Sequence, residues 1–378
     1  MSSGEATVNS VTHSRFPPIL QCPSCRSLLP PAGRCACGAN YSLGGGAFDF
    51  IGESDYYWGE LTREEMRRLV DSARVEGWRK AVRALVYPER PDLEAYFEDP
   101  RRTAWLAEVP LTGRATVADL GAGWGTIGFQ LAAAGAWVCL VEAVRERVEL
   151  LRVRAEQDGL TTATVVRASF IDVPLAPGAF DLVVLNGVLE WAGIADLEGT
   201  PRQAQLRLLQ KAREAVRPGG FVYVGIENRF GWPQLRGEID HSGLPFTSLL
   251  PRALASLVVR FSTNPLSRRT GGDAPRQTAY RTYTYTLAGY TRLFAQAGLH
   301  LRRPLLLAPS YNLPKLIAPL DHSPTLGAAT RAALTVMRSR AGAVGWLARR
   351  LAALPSPVLA AAARAFAPTF GFVLERPV

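Results

Sequence analysis

From residue 116 onward, the chain alternates short apolar runs with segments whose apolar positions repeat at helical spacing. Thr116–Leu120 and Trp137–Val141 are short, apolar and rich in β-branched residues, which indicates buried strands. Between them lies Thr126–Ala134, an apolar, Ala-rich segment of helical length. The same order continues to Phe221–Ile226, and Phe370–Glu375 is predicted to be the last strand. Strands that alternate with helices predict an α/β fold with a parallel sheet.

The chain before this region is predicted to be helical. Leu61–Val86 places apolar residues among charged ones at the spacing of an amphipathic helix. A shorter helix over Arg101–Val109 leads into the first strand. We expect the apolar faces of these helices to pack on the domain that follows.

The turn between the first strand and its helix has the composition of a ligand-binding loop. Asp119 lies at the tip of the strand, and three alternate glycines follow it: Gly121, Gly123 and Gly125. Glycine allows the backbone to approach a ligand closely and to adopt positive φ angles, and the helix N-terminus supplies oriented N–H groups. Glu142 follows at the end of the second strand. A nucleotide-type ligand is therefore expected at this edge of the sheet.

Two classes of ligand fit this turn. Gly123, Gly125 and Gly128 match the spacing of the dinucleotide fingerprint, with Glu142 as the acid for a ribose. The position of Asp119, two residues before Gly121, separates the alternatives. Asp-x-Gly-x-Gly-x-Gly resembles the first motif of the class I S-adenosylmethionine (SAM) methyltransferases. Gly178–Leu185 and Val216–Gly220 resemble the later motifs of that family in order and spacing.

This resemblance implies a fold, a cofactor and roles for several residues. It implies a Rossmann-like, seven-stranded methyltransferase sheet. Asp119 and the three glycines would hold the aminoacyl part of SAM, and Glu142 would hold the ribose hydroxyls. Ser169 and Phe170 would contact the adenine, and Asn186 would lie at the edge where cofactor and active site meet. The helices upstream would roof the pocket; the aromatic segment before them either joins this roof or packs between domains, and packing is favoured: Tyr56, Tyr57 and Trp58.

The predicted organisation follows from these assignments. Residues 1–15 form a disordered leader, 16–52 a zinc-ribbon-like segment and 53–110 a helical linker or lid. Residues 111–378 form the methyltransferase domain, with insertions at about 229–285 and 323–367.

Four cysteines predict a metal site near the N-terminus: Cys22, Cys25, Cys35 and Cys37. Four thiols within 16 residues of a chain without a visible secretory signal favour tetrahedral zinc over disulfides. The segment resembles the small zinc ribbons that activate tRNA methyltransferases or are fused to bacterial methyltransferases. It would either grip substrate or brace the next domain.

The charge of the chain is unevenly distributed. The net charge is +10, and residues 227–378 carry 19 basic and 6 acidic side chains, so the excess lies in the C-terminal third. This third is expected to attract phosphate, an anionic membrane surface or nucleic acid, or to be an ordinary solvated face. Charged residues and prolines interrupt the most apolar late stretch, 341–363, so it is not a membrane-spanning helix. We expect a cytoplasmic protein.

The candidates for catalysis lie after the fourth and fifth strands. Methyl transfer from a sulfonium needs a positioned nucleophile and a group that takes its proton. His241 lies beside Asp240 in a polar, Gly- and Pro-containing loop, and this His is the best candidate base, with Asp240 orienting it or titrating in its place. Glu190 and Glu227, at the tips of strands four and five, are alternative bases. A purely structural role for the Asp240–His241 pair remains open.

Three functions are consistent with these features. The ribbon, the Tyr56–Trp58 segment and the segments Ile226–Gly231 and Asp240–Phe246 resemble bacterial methyltransferases of surface-polysaccharide gene clusters. That resemblance implies methyl transfer to a hydroxyl or phosphate oxygen of a sugar, glycan or lipid-linked glycan. An RNA methyltransferase that uses the ribbon and the basic third is the alternative. A non-catalytic SAM-binding scaffold is the third possibility.

Overall fold

The computed structural model describes residues 17–54, 56–262, 279–337 and 342–378. The disordered leader predicted for residues 1–15 lies outside this range. The described residues form ten strands: β1 Ser42–Gly44, β2 Ala47–Asp49, β3 Thr116–Leu120, β4 Trp137–Glu142, β5 Ala163–Arg167, β6 Phe180–Asn186, β7 Val216–Glu227, β8 His300–Ala308, β9 Leu316–Pro319 and β10 Thr369–Glu375.

Helices cover and extend this sheet. In chain order the α-helices are α1 Arg63–Glu76, α2 Trp78–Leu85, α3 Glu94–Glu98, α4 Thr126–Ala133, α5 Arg145–Gln157, α6 Ala192–Ala195, α7 Pro201–Ala215, α8 Trp232–Leu235, α9 Arg252–Phe261, α10 Leu287–Gln296, α11 Ser323–Met337, α12 Gly342–Ala352 and α13 Ser356–Phe366. Short 3₁₀ helices lie at Pro91–Leu93, Pro100–Glu108, Leu189–Trp191 and Thr247–Leu249.

All ten strands belong to one sheet in the order β1-β2-β5-β4-β3-β6-β7-β10-β8-β9. Strands β2 through β7 in this order pair in parallel, whereas β10 is antiparallel to both β7 and β8. The α/β fold is confirmed, but the predicted number of seven strands is wrong. Strands β1 and β2 extend one edge and β9 extends the other, which gives the exposed edge groups of β5 and β8 hydrogen-bond partners.

The carboxyl ends of β3, β4, β6 and β7 meet at one edge of the sheet, since these strands run parallel. Strand β3 is buried along four of its five residues, as expected for a strand covered on both faces. Helix α4 begins directly after Gly125, whose φ of 82° places it in the left-handed region. The turn between β3 and α4 therefore opens at this edge.

The helical segment before the sheet differs from its prediction in detail. The single helix expected over residues 61–86 is two helices, α1 and α2, and Gly77 separates them with a φ of 92°. Thr62 begins α1 with a capping box formed with Glu65, which satisfies two backbone N–H groups at the helix start. The helix predicted over residues 101–109 is the 3₁₀ helix Pro100–Glu108. The apolar faces of α1 and α2 pack around Trp78 and against Trp124 of the glycine turn.

Residues 17–52 pack onto the edge of the sheet. Phe48 pairs with Val166 of β5 in parallel register, and Leu20 forms a bridge with Leu175. Ile19, Leu20 and Phe48 belong to the main hydrophobic core. The N-terminal segment thus shares its core with the sheet.

The insertions predicted at about 229–285 and 323–367 contain α8–α9 and α11–α13. The part of the first insertion at 263–278, like residues 338–341 of the second, lies outside the described range. Among the described helices, none is long and apolar enough to cross a membrane.

Candidate functional site

A cavity of about 770 Å³ opens beside the glycine turn. Gly121 and the end of β4 form one wall, and the loop after β5 forms another. Aromatic side chains from the segment before α1 lie opposite. The predicted residues that line it are Gly121, Glu142, Ser169 and Phe170, and they are joined by Tyr56, Trp58, Arg147 and Trp191.

The glycines of the turn are required by both conformation and space. Gly121 has a φ of 69°, and a Cβ there would lie 2.8 Å from Cγ2 of Val188. Gly125 has a φ of 82°, and its Cβ would lie 2.4 Å from Cδ2 of Leu151. Both distances are too short for carbon atoms. Any larger residue at these positions would therefore displace the wall of the cavity or the start of α4.

Asp119 braces the turn from below. Its Oδ2 accepts a hydrogen bond from the Gly128 backbone N–H at 3.0 Å. The side chain is buried, and this burial raises the pKa of Asp119 to about 7. Asp119 is not among the residues that line the cavity. The bond shown here links the tip of β3 to α4.

Glu142 lies at the cavity wall with its carboxylate held by the backbone. Oε2 accepts from the Gly123 N–H at 3.1 Å, and Oε1 accepts from Ala143 and Val144 at 2.7 and 2.9 Å. These three N–H groups fix the carboxylate in one orientation. Glu142 therefore presents a fixed hydrogen-bond acceptor to the cavity.

Asn186 occupies the end of β6, next to the cavity. Its amide nitrogen donates to Oδ1 of Asn312 at 3.4 Å, and its own Oδ1 is buried without a partner among the described residues. Gly187, the next residue, lines the cavity, whereas Asn186 does not.

An aromatic row connects the cavity to the predicted catalytic residues. The rings of Trp58 and Trp191 lie 5.0 Å apart, and those of Trp191 and His241 lie 4.8 Å apart, all between centroids. Tyr56 and Trp58 line the cavity, whereas Tyr57 is buried and donates to the Leu61 carbonyl. Tyr56 and Trp58 therefore line the cavity, and only Tyr57 of these three has the packing role that the sequence favoured.

Three predicted catalytic side chains meet at the end of this row. Nε2 of His241 lies 2.9 Å from Oε1 of Glu227 and 3.5 Å from Oε1 of Glu190. Glu190 is fully buried, whereas the side chains of Glu227 and His241 are 18% and 25% exposed. The second oxygens of both carboxylates are buried and have no hydrogen-bond partner among the described residues. We call Glu190, Glu227 and His241 the acceptor cluster.

The members of the acceptor cluster change one another's protonation. Burial and the neighbouring Glu227 charge raise the pKa of Glu190 to about 8. Burial lowers the pKa of His241, but the Glu227 carboxylate outweighs it and raises the pKa to about 9. Burial by itself would raise the pKa of Glu227, but the neighbouring His241 outweighs burial and lowers it. At neutral pH the cluster therefore holds a Glu227–His241 ion pair beside a protonated Glu190.

Asp240 has other partners. Oδ1 accepts from the N–H and the hydroxyl of Ser242 at 2.8 and 2.6 Å, and Oδ2 accepts from the Thr247 hydroxyl at 2.7 Å. These bonds close the loop that carries His241. Glu227 is the carboxylate bonded to the His241 ring.

Residues 117–220 match the family model of a methyltransferase domain. This segment contains the glycine turn, Glu142 and Glu190. The chain therefore contains a methyltransferase domain over these residues.

Several solved structures of methyltransferases also resemble this chain, at low sequence identity. They include the CcbJ methyltransferase from Streptomyces caelestis (17% identity, 78% of this chain and 95% of that chain, TM-score 0.42). A chain of the complex between the Haloferax volcanii Trm112 methyltransferase activator and a methyltransferase also matches (16% identity, 79% and 96%, TM-score 0.41). A third is geranyl diphosphate C-methyltransferase from Streptomyces coelicolor A3(2) (12% identity, 85% and 92%, TM-score 0.40). No curated protein sequence matches the chain.

Two residues of the site were missed by the sequence analysis. Tyr311 is buried, and its hydroxyl donates to Oε1 of Glu190 at 3.4 Å. Arg147 lines the cavity beside the glycine turn, which we call the donor cavity. Its guanidinium lies between the rings of Trp58 and Trp124 and pairs with Glu60. Tyr311 follows β8 without any motif, so only the fold brings it to Glu190. Arg147 lies on α5 among other charged residues, so no sequence pattern distinguishes it.

The four predicted zinc ligands come together at the N-terminal segment. Sγ of Cys22 lies 3.6 Å from Sγ of Cys37, Sγ of Cys25 lies 3.3 Å from that of Cys35, and all four lie within 4.8 Å of one another. The four thiols are free. Backbone bonds from Arg26 N–H to the Cys22 carbonyl and from Gly38 N–H to the Cys35 carbonyl form two tight knuckles. This set fits a tetrahedral metal, which sulfur ligands bind at about 2.3 Å.

Proposed function

We propose that the chain is a SAM-dependent methyltransferase and that it transfers the methyl group to a hydroxyl oxygen of a sugar, glycan or lipid-linked glycan. The observation that carries this proposal is the Glu227–His241 pair, which lies one aromatic ring from the donor cavity. SAM supplies an electrophilic methyl group on a sulfonium. The protein has to orient the acceptor oxygen in line with that methyl group and to take up its proton.

The residues of the donor cavity fit SAM. Glu142 offers a fixed carboxylate for the ribose hydroxyls, and Ser169 and Phe170 line the same cavity and would contact the adenine. Asp119 and the glycines shape the turn for the aminoacyl part. The cavity of about 770 Å³ falls in the range usual for cofactor sites.

The acceptor cluster is suited to a neutral hydroxyl. A hydroxyl that donates to Glu227 supplies a hydrogen bond to a carboxylate whose second oxygen has no partner among the described residues. His241 is protonated at neutral pH, so it becomes a base only when the cluster loses a proton. Glu190 and Tyr311 lie behind the pair and hold its charge and orientation.

A phosphate acceptor is less well supported. At neutral pH the cluster has no excess positive charge to hold an anion, because the His241 charge is already paired with Glu227. Two arginines near the cluster in the chain are engaged elsewhere: Arg229 donates to the carbonyls of Ser248 and Leu250, and Arg252 donates to that of Thr284. We therefore favour the hydroxyl among the acceptors expected from the sequence.

The four cysteines support a structural role for zinc. We propose that Cys22, Cys25, Cys35 and Cys37 hold one zinc ion, and that the segment braces the sheet. Its shared core with β5 and its pairing through Phe48 favour bracing over substrate binding.

Labelled SAM with separated pools of glycan, lipid-linked glycan, lipid and RNA tests the proposed function. We expect label in a glycan-containing pool, and a loss of roughly 10²- to 10⁴-fold in turnover for His241→Ala with unchanged SAM affinity. His300→Ala is the control, because His300 is an exposed histidine on β8.

Label in RNA alone would favour the alternative RNA methyltransferase, and binding of SAM without transfer to any pool would favour the scaffold. If His241→Ala keeps full turnover while Glu190→Gln or Glu227→Gln abolishes it, the base lies at a strand tip.

A further inference from the structure

Within the part of the chain that the structure describes, helix α9 has one apolar face that packs on the protein and a second apolar face that does not. Ala255 and Val259 are buried, and they pack with Tyr280. The other side of α9 carries four apolar residues at the spacing i, i+3, i+4, i+7. Their exposed fractions are 46% for Leu254, 49% for Leu257, 39% for Val258 and 80% for Phe261. A helix on the surface of a soluble domain normally has a single apolar stripe. The second stripe requires an explanation.

Exposed apolar side chains also occur on α8 and in the loop that joins α8 to α9. Trp232 and Leu235 of α8 are exposed, and so is Phe246, whose ring lies against Gly237 after α8. Phe246 leads through the 3₁₀ helix Thr247–Leu249 into α9. We define the α8–α9 surface by six side chains: Trp232, Leu235, Phe246, Leu254, Leu257 and Phe261.

The part of the chain that carries this surface has an excess of basic residues. Residues 227–378 contain 19 basic and six acidic side chains, and two of the acidic ones, Glu238 and Asp240, follow α8 directly. Arg236 and Arg260 are exposed at the surface itself. The Arg236 guanidinium lies 4.9 Å from the Trp232 ring centroid. This pairing of a cation with an interfacial aromatic is typical of side chains at a boundary between lipid headgroups and acyl chains.

Helix α12 repeats the combination. Trp346 and Leu347 are exposed, and Arg350 lies 5.7 Å from the Trp346 ring centroid. Arg349 and Arg350 are both exposed. A protein partner with an apolar face would not by itself explain why exposed apolar residues coincide with such an excess of arginine.

We propose that the α8–α9 surface docks on an anionic lipid bilayer, with its apolar side chains among the headgroups and its arginines on their phosphates. A lipid-linked acceptor would then meet His241, which lies on the same insertion between α8 and α9. The docking stands on the surface itself, whereas its use for a lipid-linked acceptor rests on the proposed function.

Vesicle co-sedimentation of the full chain, without SAM or acceptor, tests the docking. We expect binding to vesicles of phosphatidylcholine with phosphatidylglycerol, weaker binding to phosphatidylcholine alone, and weakening by salt. The triple variant Leu254→Ser, Leu257→Ser and Phe261→Ser should bind at least about tenfold more weakly. The indole fluorescence of the wild type should shift to the blue on binding.

Val75→Ser and Leu197→Ser are matched controls, because both side chains are exposed, at 86% and 72%, on other elements. They should bind vesicles as the wild type does. Unchanged SAM affinity of the triple variant shows that it is folded. A wild type that binds neither vesicle overturns the proposal, and so does a triple variant that binds as well as the wild type.

The other occupant of the surface would be a second copy of the chain. Concentration-dependent self-association that the triple variant abolishes, with no vesicle binding, would assign the surface to a dimer and overturn membrane docking. Because vesicle binding is measured without methyl transfer, an inactive protein that still binds would refute only the proposed function.

Discussion

The protonation of the acceptor cluster depends on residues that are far apart in the chain. Glu190, Glu227 and His241 lie on three different segments, and each carries a pKa that its neighbours have changed. Asp240, the residue next to His241, is bonded to Ser242 and Thr247 instead. At this scale, proximity in the fold outweighs adjacency in sequence.

A pH profile tests the coupling. If the cluster takes the acceptor proton, turnover should rise as the pH passes through about 8 to 9, where Glu190 and His241 lose theirs. Glu227→Gln removes the charge that raises the His241 pKa. The rise should then move to lower pH, toward the ordinary histidine value of about 6.5.

Initial rates at saturating SAM, measured from about pH 6 to about pH 10, check this expectation. A rate that does not change with pH in the wild type would mean that the acceptor needs no base. A rise that stays in place in Glu227→Gln would remove Glu227 from the coupling.

Glu142 makes a second prediction at the residue scale. Glu142→Ala should weaken SAM binding by about 1–3 kcal/mol, because it removes the charged carboxylate that would accept a hydrogen bond from a ribose hydroxyl. Isothermal calorimetry measures the change, and Glu156→Ala, which changes an exposed glutamate on α5, is the control. Unchanged affinity contradicts the assignment of Glu142, and a preference for NADH contradicts SAM as the ligand.

At the scale of elements, the N-terminal segment and the sheet depend on each other. Residues 17–52 contribute only short strands, and β2 pairs along just two residues of β5. Short strands of this kind are marginal on their own. The four cysteines and the contact of Phe48 with the core compensate for the missing hydrogen bonds.

Zinc content tests this dependence. One zinc ion should co-purify with each chain, and its removal should unfold the segment, since metal binding and folding are coupled at such sites. Hydrogen exchange should then increase in residues 17–49, including β2, and change little in β3. Metal analysis by mass spectrometry provides the stoichiometry.

Cys35→Ala should lose the metal, and Cys139→Ala should keep it, because Cys139 is buried in β4 away from the cluster. Freshly reduced protein that contains no zinc and readily forms disulfides between these cysteines would refute the site.

For the molecule as a whole, strand β10 lies inside the sheet and not at its edge. Strand β10 lies between β7 and β8 and pairs with both along seven residues. The helices α11–α13 come between β9 and β10 in sequence, so the sheet is complete only after the second insertion. Long-range pairing of this kind makes the sheet a single cooperative unit.

Truncation tests this view. A chain that ends after residue 367 should give no cooperative thermal unfolding transition by circular dichroism, because β7 and β8 each lose a neighbouring strand. Removal of Pro377 and Val378 alone should leave the transition unchanged, since both are exposed. A cooperative transition in the longer truncation would show that β10 is dispensable.

The sequence by itself determined the α/β alternation, the glycine turn and the cysteine set. Local chemistry fixes these features: β-branched runs form strands, alternate glycines allow the turn at Gly121 and Gly125, and Cys-x-x-Cys forms a knuckle. It also indicated the acidic strand tips at Glu190 and Glu227. These inferences need only neighbours in the chain.

The tertiary structure alone decided the ten strands, the break at Gly77 and the partner of His241. Edge pairing of β2 and β9 depends on which distant strands have free edges, which no local pattern records. Likewise, Tyr311 reaches Glu190, and Glu227 reaches His241, because the carboxyl ends of parallel strands converge at one edge of the sheet. Contacts between distant residues depend on packing, and packing is a property of the folded chain as a whole.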